Sequence, residues 1–145
     1  MKDDELSERV GEERKPDRAI ERWNGYIVSY DKTYLLETIR ELGINDEITA
    51  ELMARAIACY TVSYGKKMNE IFKYLAEEKK VGQNSIAMRF KRALSIAEAN
   101  GDLKYIDTIV SGVVYDYDYG YTVREFIALL GAHMGDTDRL KVQKE

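Results

Sequence analysis

The stretch from Met68 to Gly101, MNEIFKYLAEEKKVGQNSIAMRFKRALSIAEANG, constrains this chain more than any other. Its apolar residues recur at helical spacing on both sides of a short polar corner. Ile86, Phe90, Ala93, Leu94 and Ala97 follow one another at helical offsets, which places them on one stripe of a helix. Asn84 or Ser85 is the expected N-cap of that helix. Gly101 follows its last periodic residue, where a left-handed backbone suits glycine. A preceding helix carries Ile71, Phe72, Leu75 and Ala76 on its own apolar face, and Val81-Gly82-Gln83 has the length of a turn between two packed helices.

The outward face of the second helix carries the functional signal. Stepping 100° per residue, Ser85, Met88, Lys91, Arg92 and Ser95 lie opposite the apolar stripe, with Arg89 on its flank. From Lys66 to Arg92 there are eight Lys or Arg against three Glu, a local net of +5 in a chain whose total is −4. A helix presented this way can enter a DNA major groove while neighbouring lysines reach phosphates. The plainer reading of the same pattern is a solvated amphipathic helix pair. The acidic total counts against a nonspecific nucleic-acid coat. It leaves room for binding through one local basic surface, because salt screens charges beyond roughly 10 Å.

Composition narrows the class. At 145 residues the chain is expected to form one compact domain with tails, and one proline among ten glycines favours helices over a turn-rich sheet protein. The single cysteine, Cys59, excludes an intramolecular disulfide framework and falls in an apolar helical pattern, so a buried core residue is expected. No apolar run approaches membrane-spanning length and the charged start has no signal-peptide core. A cytoplasmic protein without a membrane partner is the expectation.

Residues 1–22 hold eight acids and six bases and are expected to be a flexible charged arm, with Pro16 opening a short helix through Trp23. Trp23, Tyr26, Ile27 and Tyr30 read as a piece that docks on the core. Asp31 or Thr33 is the expected cap of a helix through Leu35, Leu36, Ile39 and Leu42, and Asn45 or Asp46 opens another through Ile48, Leu52, Ala56, Ile57 and Tyr60. Beyond the central pair, Asp102 to Val110 reads as a short helix. Ser111 to Tyr121 alternates Tyr and Asp with strand period; without a second strand, an extended loop is expected. Thr122 and Glu125 form a capping box for a final helix expected to stop between Gly131 and Gly135, followed by a charged tail from 136 to 145. The domain proper is thus expected over 23–135.

The chemistry of catalysis is missing from these patterns. There is no P-loop, dinucleotide-binding glycine pattern or Cys/His metal cluster, and Asp116 with Asp118 falls short of a calcium loop. His133 is the only histidine and is expected at the surface or as a cap. Neither an enzyme nor a bound cofactor or metal is expected.

The ordered set of motifs resembles the C-terminal DNA-binding effector domain of the master sporulation response regulator of endospore-forming bacteria. It comprises Ile39-Arg40-Glu41-Leu42-Gly43-Ile44, Arg55-Ala56-Ile57, Tyr74-Leu75-Ala76, Arg92-Ala93-Leu94-Ser95-Ile96-Ala97, Gly101-Asp102 and Glu125-Phe126-Ile127-Ala128. The match runs from Tyr34 to Met134, roughly 100 of the 145 residues. The resemblance implies an all-α fold, a compact bundle of about six helices containing a helix-turn-helix that reads double-stranded DNA. It also implies base-reading positions at Asn84, Ser85, Met88, Lys91 and Arg92, with Met88 where the family carries an arginine. Lys66, Lys67, Lys79, Lys80 and Arg89 are the expected phosphate contacts. No phosphoacceptor domain is expected within residues 1–30. A transcriptional regulator is therefore the first expectation, and a homodimer would match paired half-sites. The alternative is a protein-protein interaction module of the same fold, motivated by the acidic total, Met88 and the tyrosine-rich stretch.

Overall fold

The computed structural model describes residues 17–110 and 121–145. Among them are two strands, β1 (Arg18–Trp23) and β2 (Tyr26–Asp31), then α1 (Lys32–Glu41), α2 (Glu47–Tyr60), α3 (Met68–Lys79) and α4 (Gln83–Ala99). A 3-10 turn (Leu103–Tyr105) leads into the short α5 (Ile106–Ile109), and α6 (Val123–Asp136) precedes β3 (Leu140–Lys144). The all-α expectation is therefore wrong. Six helices pack with a three-stranded antiparallel sheet ordered β1-β2-β3, which makes the domain mixed α and β.

The sheet is built from segments expected to be arm and tail. Asn24 and Gly25 join β1 to β2 with φ of 55° and 82°, the paired left-handed turn whose twist matches that of two antiparallel strands. This turn replaces the helix expected through Trp23; Pro16 and the rest of 1–16 lie outside the described residues. β3 pairs with the other edge of β2, with Val28 facing Val142 and Tyr30 facing Leu140. The expected boundaries at 22 and 136 thus cut through structure. The Tyr/Asp alternation, with Asp116 and Asp118, falls in 111–120, also outside the described residues.

The helices follow their local signals closely. The Asp31 carboxylate accepts from the Tyr34 N–H to cap α1, and Asp46 accepts from the Thr49 N–H to cap α2. Thr122 and Glu125 close the expected capping box at α6. That helix passes its expected stop because Gly131 is buried inside it. A Cβ there would come within 3.2 Å of Thr61 Cγ2, so glycine serves close packing of α6 on α2 rather than termination.

Helix α2 is the hub of the core. Leu52, Met53, Ala54, Ala56, Ile57, Ala58 and Cys59 are all buried, and its small side chains let neighbours approach from several sides. Ile48, expected on its apolar stripe, is exposed instead. Cys59 is the expected core thiol, and burial pushes its pKa up. His133 is a correction in part. It is half-buried, its Nε2 lies 2.7 Å from the Tyr34 hydroxyl, and the guanidinium of Arg139 stacks 3.8 Å from the centre of the Tyr34 ring.

One polar contact crosses this core. Glu21 of β1 points inward and is only 5% exposed. Arg55 of α2 meets it along one edge of its guanidinium, Nε at 2.9 Å and Nη2 at 2.8 Å. Tyr74 of α3 donates its hydroxyl to the same carboxylate, and Arg55 also reaches Glu78. The Glu21 bond holds the Arg55 pKa well above its usual value. Arg55→Met leaves the carboxylate buried without its cation, so unfolding free energy is expected to fall by about 3–5 kcal/mol. The urea midpoint measures this, and an unchanged midpoint would show that the bracket carries no stability.

Candidate nucleic-acid interface

The α3–turn–α4 unit takes shape from both ends of its corner. Lys80 leaves α3 in the left-handed region, φ 59° and ψ 42°, and its N–H returns to the Ala76 and Glu77 carbonyls. The Val81 N–H also reaches the Ala76 carbonyl, at 3.0 Å, which satisfies the end of α3 and turns the chain. Gly82 is the N-cap of α4, with no side-chain cap bond. The expected caps, Asn84 and Ser85, instead sit inside the first turn of α4. They are freed for the outside because the helix starts earlier, at Gln83.

Ile86, Phe90, Leu94 and Ala97 are buried as their spacing predicts, with Ala93 half-buried beside them. Phe72 of α3 meets Phe90 edge-on, ring centres 5.7 Å apart at 77°. With α3 and α2 behind it, α4 turns Asn84, Ser85, Met88, Lys91 and Arg92 outward, all exposed. The structure does not gather all five. Asn84, Ser85, Met88 and Arg92 share an open groove of about 610 Å³ that runs along α4. Lys91 lies outside it, in a depression with Ser95 and Tyr121.

The expected phosphate contacts divide as well. Arg89 Nη1 is held by the Asp46 carboxylate at 3.0 Å and lies 3.2 Å from Thr49 Oγ1, so it leans on the start of α2. Lys66 lies 3.6 Å from Glu70, and the Lys67 N–H reaches the same carboxylate. Lys79 and Lys80 are exposed at the corner. Among the described residues, neither they nor Lys91 and Arg92 form an ion pair.

Sequence reasoning placed Met88 on this surface but missed the apolar neighbours, Val81 and Ile96, that extend it. Val81 at 48%, Met88 at 45% and Ile96 at 58% are exposed, and all three line the groove. Ile96 was visible only as part of a motif string. Its position one turn beyond Arg92 was the available signal. Among the described residues no cluster of His, Cys, Asp and Glu could hold a metal ion, and no helix is long and apolar enough to cross a membrane.

Asp46 joins the two helices. The Thr49 hydroxyl, the Thr49 N–H and then Arg89 hold its carboxyl below the usual value. A carboxylate with a depressed pKa stabilises the fold fully above its unfolded value, about 3.9, and loses that contribution as pH falls through the lowered one. The melting-temperature gap between wild type and Asp46→Ala is therefore expected to hold steady at neutral pH and to close below pH about 4. A gap that persists to pH about 2 would refute this role. No family model, curated protein or solved structure matches this chain.

Proposed function

We propose that this protein binds double-stranded DNA through α4 and acts as a transcriptional regulator. One observation carries the reading: Asn84, Ser85, Met88, Lys91 and Arg92 are all exposed on a helix whose opposite side is buried. A rod about 10–12 Å across with its side chains matches the width of the major groove, about 12 Å. Lys79 and Lys80, at the corner that precedes α4, are placed to contact phosphates and fix the register. The uncapped first turn of α4 adds N–H groups that favour an anion.

A second reading has its own support. Val81, Met88 and Ile96 form an exposed apolar line along the same groove, and methionine is enriched where proteins meet. A protein partner of α4 is the rival.

Fluorescence polarisation on a randomised duplex pool, across a salt series, separates the two. Binding that weakens steeply with salt supports DNA recognition. Lys91→Glu with Arg92→Glu is expected to abolish it while the circular dichroism stays unchanged. Arg92→Ala alone is expected to cost about 1–3 kcal/mol of affinity if it makes a bidentate base contact. A folded sample with no salt-sensitive binding to any duplex overturns the assignment.

A further inference from the structure

Granting that α4 enters the major groove, we infer that it selects thymine-bearing base pairs through Met88, with Asn84 on adenine, and not guanine through an arginine at the centre of the helix. The inference rests on the DNA reading and deepens it. Three features of the groove lead there.

The first is what occupies the middle of the face. Met88 stands one turn after Asn84 and one turn before Arg92, so a base pair under the centre of α4 meets a thioether and its methyl. The major-groove edges display only one apolar group, the C5 methyl of thymine. An apolar side chain pressed on any other base edge buries a donor or acceptor without a partner.

The second is what has been withdrawn. Arg89 is the arginine next to Met88, yet its Nη1 is taken by the Asp46 carboxylate and Thr49 Oγ1 on α2. Its Nε and Nη2 donors are left over, but they belong to a guanidinium tied down at the start of α2, on the flank of the face and away from its centre. Among the described residues Arg92 keeps its fork free of carboxylates, one turn further from the start of the helix.

The third is the neighbour one turn earlier. Asn84 lines the same groove, and a carboxamide matches adenine N6 and N7 with one donor and one acceptor. Asn84 and Met88 together therefore suit an A·T step, whereas the cations at Lys79 and Lys80 attract the backbone whatever its sequence.

The experiment uses the tightest duplex from the randomised pool and copies of it in which deoxyuridine replaces thymine one position at a time. Uracil keeps every hydrogen-bonding group of thymine and lacks only the methyl. At the position under Met88, wild type is expected to lose about fourfold in affinity, the worth of one buried methyl. Other positions should change little. Met88→Ala should bind the thymine and uracil duplexes equally while keeping its salt dependence, and Met88→Leu should restore the difference. Salt-sensitive binding with no thymine–uracil difference at any position would overturn the inference and leave DNA binding intact. A difference that survives in Met88→Ala would overturn the role of Met88. Absence of salt-sensitive binding to any duplex would remove the parent reading as well.

Discussion

A carboxylate with almost no access to water decides how this molecule is put together. Glu21 is tolerated under the sheet because Arg55 meets it along the guanidinium edge and Tyr74 adds a third donor. A buried pair of this kind adds little net stability, but breaking one partner is costly, so it acts mainly on which arrangement forms. In β1 the side chains alternate between faces, and a slip of one residue would send Glu21 out to water and Ile20 or Arg22 inward against Arg55. The ion pair therefore locks the register of the hairpin against α2. Tyr74 extends the same lock to α3, and α3 in turn braces α4 through Phe72 and Phe90. The orientation of the outward face of α4 is inherited, contact by contact, from a charge on the far sheet.

That face combines two kinds of attraction. Cations at Lys79, Lys80, Lys91 and Arg92 work at a distance and fade with salt, whereas Met88, Val81 and Ile96 act only on contact. The link between Arg89 and Asp46 trades one mobile cation for a tie between α2 and α4. On the DNA-binding reading proposed above, a surface so composed would gain less from backbone neutralisation and rely more on fit. This accords with an acidic chain that concentrates its positive charge in one place.

The central helices and three of their caps were legible because those signals are local. Asp31, Asp46 and the Thr122–Glu125 box each act within three residues, and the stripe from Ile86 to Ala97 states its own period. The strands were not legible for opposite reasons. β1 reverses the usual rule, with Ile20 facing water and Glu21 facing the core, so its pattern reads as a charged arm. Asn24-Gly25 was the one hairpin signal in that region, and the eight acids and six bases of residues 1–22 masked the strand on its N-terminal side. β3 acquires its meaning only from β2, since Leu140 pairs with Tyr30 across 110 positions. The exposure of Ser85, Met88, Lys91 and Arg92 followed from helical geometry, whereas Asn84 joined that face only through the resemblance. The capture of Arg89 did not, because its partner lies 43 positions away.

The long reach of β3 also bears on how the chain assembles during synthesis. The contacts of α3 with α4 span few residues, so that pair can collapse as soon as it clears the ribosome. The sheet cannot close until residue 144 has emerged, because Lys144 pairs with Tyr26. Until then β2 presents a bare edge to its surroundings on the side away from β1. Limited proteolysis of stalled nascent chains would show this order as early protection of α4 and late protection of β2.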